Sequence, residues 1–231
     1  MRMEELANGE YYHICNHAVD QSDLVRNAKD ADRFIESLVI FNTVDPVGSV
    51  FEFYRQDSSL KDSVGHLVSN FKKEEALVDI VAYCLNPNHF HLLLSQRRDD
   101  GISKFMKSVS GGFSKYINNK YQRKGSLFRG PFRAKRITNN EYLTYVSAYV
   151  NLNNEVHGLP KNLKHLIRSS LSEYDNKSFE ICQKGIILDQ FKDSKDYRKF
   201  AFELLPQMKE QKKLTKDLLV SMNEWEELAI E

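Results

Sequence analysis

Cysteine, proline and glycine are scarce in this chain of 231 residues, with three Cys, five Pro and ten Gly. Cys15, Cys84 and Cys182 form no CxxC pair and leave an odd count, which argues against a disulfide framework and a thiolate zinc site. So little Gly and Pro argues against fibrous or low-complexity architectures. Long apolar runs are missing as well. One of the longest, Val78 to Leu85, is interrupted by Asp79 and falls far short of the roughly 20 residues of a membrane helix. The first residues, MRMEELANGEYYHI, lack the apolar core of a secretory signal. The expected setting is the cytoplasm, with reduced thiols and no membrane partner.

A fourth absence is local. Between Gly101 and Asn140 there is no acidic residue, while ten basic ones occur: Lys104, Lys107, Lys115, Lys120, Arg123, Lys124, Arg129, Arg133, Lys135 and Arg136. The formal charge of +1 is therefore the sum of a +10 block and a remainder carrying 23 basic against 32 acidic side chains, a net −9. Such segregation points to a polyanion-binding face. With 41% hydrophobic residues the chain is long enough to bury a proper core, as one generous domain or one domain with an extension.

Glu10 to Ala18 alternates as a half-buried strand, and Asn27-Ala-Lys-Asp30 opens a helix carrying Phe34, Leu38 and Phe41. Val50 to Arg55 reads as another strand, followed by a polar stretch with a short helix over Val64 to Phe71. Val78 to Leu85 and Asn88 to Gln96 are two strands joined at Asn86-Pro87, hence a central antiparallel hairpin. Ile102, Phe105, Met106, Val109, Phe113, Tyr116 and Ile117 follow helical spacing for about five turns. Gly111-Gly112 in the middle of that helix fits close packing, close approach of a ligand or simple local weakness. Lys120 to Ile137 reads as loop plus a short strand. Thr138-Asn-Asn-Glu141 has capping-box form and starts a helix that ends by Gly158 and Pro160. Beyond residue 160 the charge is balanced, and two helices are expected, over Phe191 to Leu205 and Leu214 to Ile230. The domain boundary falls near 160, with residues 161–231 a helical extension of unassigned role.

His89-Phe90-His91 on the second hairpin arm puts both imidazoles on one sheet face. By spacing alone the pair suits a divalent-metal half-site or two histidines on a polar face equally. Leu93 stands where hydrolytic zinc enzymes commonly add an Asp, and no HExxH occurs, which counts against a zinc hydrolase. On the following helix Tyr145, Tyr149 and Asn153 share one side. A lone helix tyrosine is most often a core residue. Beside a metal-bound phosphate, however, a phenol is a nucleophile and an amide oxygen one turn away a ligand.

Three segments taken together carry a family resemblance: Tyr83-Cys-Leu-Asn-Pro-Asn-His-Phe-His-Leu-Leu-Leu94, Lys124-Gly-Ser-Leu-Phe-Arg-Gly-Pro-Phe-Arg-Ala-Lys135 and Ala148-Tyr-Val-Asn-Leu-Asn-Asn-Glu-Val-His-Gly158. From Tyr11 to about Gly158 the chain resembles the single-tyrosine HUH transposases, particularly the REP-associated group. In that family a histidine pair lies on a central strand, and a helix bears one catalytic tyrosine followed four residues later by an amide. The matching positions are His89 and His91, Tyr149 and Asn153. Departures are Asn86 where Met is usual, Asn154 where Pro often follows the Asn, and Asn16-His17 where Asn-Arg often ends the first strand.

The resemblance implies an α+β, ferredoxin-like or RRM-like sandwich, with an antiparallel sheet and helices on one face. It also implies a homodimer and Mg²⁺ or Mn²⁺ held by His89, His91 and Asn153. Tyr149 would attack single-stranded, hairpin-bearing DNA, giving a 5′-phosphotyrosine that a later strand resolves. The DNA-contacting residues expected from the basic block are Lys115, Arg123, Lys124, Phe128, Arg129, Arg133, Lys135 and Arg136, with Phe132 or Tyr121 as further stacking platforms. The alternative is a domesticated protein that binds DNA hairpins without cutting them.

Overall fold

A computed structural model describes residues 5–45, 47–56, 73–175 and 181–228. Strand β1 (Tyr11–His17) pairs antiparallel with both β3 (His89–Gln96) and the edge strand β4 (Arg133–Ile137). On the other side of β3 lies β2 (Val78–Leu85), which also pairs with the two-residue β5 (Arg168–Ser169). The five-stranded order is β4-β1-β3-β2-β5. The expected hairpin is central because both arms are buried almost throughout.

Alternation sends Tyr12 and Ile14 of β1 and Phe90, Leu92 and Leu94 of β3 into one core. A register shift between Ile80 and Ala82 changes the phase of β2. Val78 and Ile80, then Tyr83 and Leu85, join that core, whereas Val81, Ala82 and Cys84 join the other. The first face is covered by α1 (Ala28–Ile40) and α3 (Gly101–Lys120) through Phe34, Leu38, Phe105, Val109 and Phe113. Asn27 caps α1 by accepting from the Asp30 amide at 3.1 Å. Close packing explains the glycine pair. A Cβ on Gly112 would stand 2.8 Å from the Phe41 ring, whereas one on Gly111 would meet nothing.

Helices cover the second face too, because β2 and β3 are apolar on both sides. There α4 (Asn140–Asn151) passes over the hairpin and runs on through Leu152 into the single turn α5 (Asn153–Val156). Asn139, inside the expected capping box, is the cap and accepts from the Tyr142 amide at 2.8 Å. The segment beyond 160 packs onto this layer through α6 (Leu171–Tyr174), α7 (Gly185–Leu188) and the long α8 (Ser194–Leu228). Tyr174, Ile187, Tyr197, Ala201 and Met208 fill the second core. The Tyr197 hydroxyl lies 3.2 Å from Ser147 Oγ and accepts from Asn151 Nδ2 at 2.8 Å, which ties α8 to α4.

Two expectations are corrected. Val50 to Arg55 is not a strand but helix α2 (Val50–Gln56). The apolar Val50, Phe53 and Tyr54 recur at helical spacing, Ser49 Oγ accepts from the Glu52 amide at 3.1 Å, and Phe51 is left 70% exposed. The two C-terminal helices are one, α8, which runs through Pro206. Its apolar stripe of Tyr197, Ala201, Leu204, Leu205 and Met208 continues across the proline. The helix expected over Val64 to Phe71 lies outside the described residues.

Asp30 joins the first turn of α1 to the last of α3. Its buried carboxylate accepts from the Arg26 amide at 3.0 Å, Tyr116 Oη at 3.0 Å, Tyr121 Oη at 2.6 Å and Lys120 Nζ at 2.5 Å. Burial pushes this carboxyl up, but the hydrogen bonds from Lys120, Tyr121, Arg26 and Tyr116 outweigh it and hold the group below the usual range. Asp30→Ala would remove the acceptor shared by the Arg26 amide, Tyr116, Tyr121 and Lys120, leaving Lys120 hydrogen-bonded to Tyr116 alone. It is expected to lower stability by about 1–3 kcal/mol, read as an earlier midpoint in urea unfolding. A midpoint within error of wild type would show that this network contributes nothing net.

Candidate metal and tyrosine site

The odd positions of β3 point to the second face, so His89 and His91 lie under α4 as the HxH spacing requires. The register adds two further imidazoles, for β1 places Cys15 opposite His91 and His17 opposite His89. His13, on the same face as His17, sets Nε2 2.8 Å from His91 Nδ1, and the two rings stack with centroids 5.0 Å apart. The His17 ring stacks on His89 at 4.9 Å.

Above them the helical hydrogen bonds continue past the end of α4. Leu152 donates to Ala148, Val156 to Leu152 and His157 to Asn153, at 2.9 to 3.0 Å. Tyr149, Asn153 and His157 therefore stay on one side. The Tyr149 ring meets His91 edge-on at 5.5 Å and His13 at 5.8 Å. Asn153 Oδ1 lies 3.0 Å from His89 Nε2 and accepts from Asn86 Nδ2 at 2.7 Å. The His157 ring is 4.4 Å from His89. His89, His91 and His157 each offer one ring nitrogen within 4.8 Å of the others.

Proton placement shows that these donors suit a cation. His89 Nδ1 lies 2.7 Å from Asn88 Oδ1, an atom that only accepts, so Nδ1 carries the proton and Nε2 a lone pair. That lone pair faces the Asn153 oxygen, while Asn153 Nδ2 is buried with no hydrogen-bond partner among the described residues. At present the amide of Asn86 donates to both, lying 3.0 Å from His89 Nε2. Two converging lone pairs, with imidazole nitrogens beside them, fit a divalent ion.

Burial holds the cluster neutral, the form that binds metals. It pushes His13 down to about 4 with help from the Lys135 charge, and His89 to about 4 although the Asn153 oxygen favours its protonated form. It pushes His157 to about 3, aided by His89, Lys212 and His17, and His91 well below its usual value. His17 is lowered by burial and by Arg129 and Arg133. The Tyr149 phenol is pushed up by burial, partly offset by the nearby Asn153 amide, so it is protonated at neutral pH.

The basic residues divide between the two faces. Arg133 and Lys135 are exposed on β4 opposite Cys15 and His13 and so flank the site. Lys135 also lies over the Tyr142 ring at 5.0 Å. Arg129 donates its amide to the His17 carbonyl at 3.0 Å and joins them. Arg136 points to the other face and pairs with Glu10 at 2.8 Å. Lys115 is exposed on α3, across the sheet from Tyr149, while Lys124 is exposed in the following loop and Arg123 donates to Asn118 at 3.1 Å. Phe128 is buried against Phe90, with ring centroids 5.8 Å apart, so its ring belongs to the first core. Tyr121 is engaged with Asp30, and Phe132 is half-buried beside the same core.

Sequence reasoning missed His13, His157 and the tail. His13 and His17 were legible, being four apart on an alternating strand, and His157 follows Asn153 by one more turn. Tyr145 Oη donates to Gln211 of α8 at 2.9 Å, and the Lys212 charge acts on both His89 and His157, which brings the tail to the edge of the site.

The family model described as "Transposase IS200 like" matches residues 54–153, which include Asn86, His89, His91, Tyr149 and Asn153 and leave His13, His157 and the tail outside. Among solved structures, one of a REP-associated tyrosine transposase bound to a REP hairpin is similar, at 12% identity and a TM-score of 0.49. The match covers 78% of this chain and 87% of that one. No curated protein matches the chain. Among the described residues no helix is long and apolar enough to cross a membrane.

Proposed function

This chain belongs to the IS200-like, HUH single-tyrosine transposases, whose model spans residues 54–153; on that premise we propose that it cuts and rejoins single-stranded, hairpin-bearing DNA through a covalent bond to Tyr149. The observation that carries this reading is the placement of Tyr149 and Asn153 on one side of a helix directly over His89 and His91.

His89, His91 and Asn153 would hold a divalent ion, Mg²⁺ or Mn²⁺, which supplies positive charge to a scissile phosphate. Tyr149 Oη forms the new bond to phosphorus and gives up its proton to solvent. The bond from phosphorus to the 3′ oxygen breaks and that oxygen takes up a proton, leaving a 5′-phosphotyrosine and a free 3′-hydroxyl. A second 3′-hydroxyl reverses the step and rejoins the strands. His13, bonded to His91 Nδ1, fixes the ring so that Nε2 is the nitrogen offered to the site. Arg129, Arg133 and Lys135 guide the DNA backbone along the β4 edge. The working unit is proposed to be a cytoplasmic homodimer, checked by light scattering on the purified chain.

The direct test uses a hairpin oligonucleotide labelled on the 3′ side of its cleavage site. With Mn²⁺ or Mg²⁺ the label is expected to migrate with the protein on a denaturing gel, and chelation by EDTA to abolish this. Hairpin binding with no adduct under any divalent ion would instead establish a non-cleaving binder. Binding is expected to weaken steeply with salt, and Arg133→Ala and Lys135→Ala should each lower the slope of log K against log salt by about 1. A slope unchanged in both variants would remove β4 from the DNA path.

A further inference from the structure

We propose that His157 is a third imidazole ligand, so that the centre offers three imidazole nitrogens and the Asn153 oxygen and selects a first-row transition ion over Mg²⁺. This deepens the metal-site reading above and rests on it. Helical phase brings His157 there, since its amide donates to the Asn153 carbonyl at 3.0 Å and its ring follows Tyr149 and Asn153 on the same side. Its ring lies 4.4 Å from that of His89, and its ligand nitrogen falls within 4.8 Å of those of His89 and His91.

The other histidines near the pair are otherwise occupied or placed. His13 Nε2 is engaged by His91, and the His17 ring stacks face to face on that of His89 at 4.9 Å, outside the set of converging nitrogens. His157 is half-buried, and among the described residues its ring nitrogens meet no hydrogen-bond partner. An imidazole held against two others with its nitrogens uncommitted is what a ligand requires.

The third imidazole changes which ion the site prefers. Mg²⁺ binds oxygen and loses its waters reluctantly, whereas imidazole suits the transition series. With only His89, His91 and Asn153 the contrast is modest. Adding His157 strengthens binding of Mn²⁺ and Co²⁺ while giving Mg²⁺ little, and four protein donors still leave positions open on a six-coordinate ion.

The test titrates Mn²⁺ and Mg²⁺ into the full chain by calorimetry and records the visible absorption of the Co²⁺ form. Loss of even an outer-shell partner costs about 10–100-fold in metal affinity. His157→Gln is therefore expected to weaken Mn²⁺ at least about tenfold, to alter the Co²⁺ bands and to leave Mg²⁺ binding nearly unmoved. His157→Asp, whose carboxylate is a charged and stronger donor than the Gln amide, should recover Mn²⁺ binding. If His157→Gln binds Mn²⁺ and Co²⁺ as wild type does while His89→Gln binds neither, His157 is no ligand and the inference falls alone. If His89→Gln also binds them unchanged, the metal-site reading falls with it.

Discussion

Tyr149→Phe is expected to reduce DNA cleavage and adduct formation to background, a loss of at least about 10⁴-fold, as removal of a nucleophile does elsewhere. Hairpin binding should survive, because Arg129, Arg133 and Lys135 are untouched. Stability should survive too, because the phenylalanine ring keeps the edge contacts with His91 and His13. Single-turnover cleavage, measured beside hairpin affinity and thermal unfolding, separates these effects. An adduct that persists in Tyr149→Phe would sink the assignment, and Tyr145 and Tyr142 would be next. Neither is as well placed, since Tyr145 Oη is bonded to Gln211 and the Tyr142 ring lies under Lys135.

The second large effect is loss of stability in mild acid. His13 and His89 are pushed from 6.5 down to about 4, His157 to about 3, and His91 and His17 are lowered as well. Between pH 6.5 and 4 the unfolded chain binds protons at these positions and the folded chain does not, so stability rises with pH through that window. It is fully present above 6.5 and is lost as the pH falls through the folded values. Several buried imidazoles acting together should lower the melting temperature by on the order of 10 °C between pH 7 and 4.5. Because the folded chain keeps the metal-facing imidazoles largely neutral down to about pH 4, Mn²⁺ should raise the melting temperature at pH 4.5 as well as at pH 7. A melting temperature that is flat over this range would mean that the histidines are hydrated and titrate as free imidazoles.

The expected acid effect and the proposed tyrosine chemistry rest on the same packing. α4 and α8 close over the second face of the sheet, and burial there keeps the imidazoles neutral and the phenol protonated. A loosened tail would hydrate both. Residues beyond 160 thus bear on the site physically, through Tyr197 on α4 and through Gln211 and Lys212 at its edge.

Local order carried the central hairpin, the five-turn helix, the short strand after the basic loop and the capped tyrosine helix. Each is marked by periodicity or turn chemistry within a dozen or so neighbours. The pairing of His89 with His91, and of Tyr149 with Asn153, is legible for the same reason, since periods of two and of 3.6 are local properties. Val50 to Arg55 misled because six residues satisfy both periods, and only burial of Val50 and Tyr54 with Phe51 left outside decides for a helix.

What lay beyond the sequence is whatever depends on register between distant segments. The +10 block is visible as a count, but β4 pairing sends Arg133 and Lys135 to the site and Arg136 to Glu10. Phe128 looked like a stacking platform and is a core residue against Phe90. His13 and His157, 144 positions apart in the chain, meet His91 and His89 only because β1 pairs with β3 and the tyrosine helix lies across them. The sequence by itself determined most of the elements and the two motifs, His89 with His91 and Tyr149 with Asn153, since these rest on short-range periodicity. Only the tertiary structure decided which further imidazoles, cations and tail residues surround them, because that follows from strand register and helix packing, which no local pattern encodes.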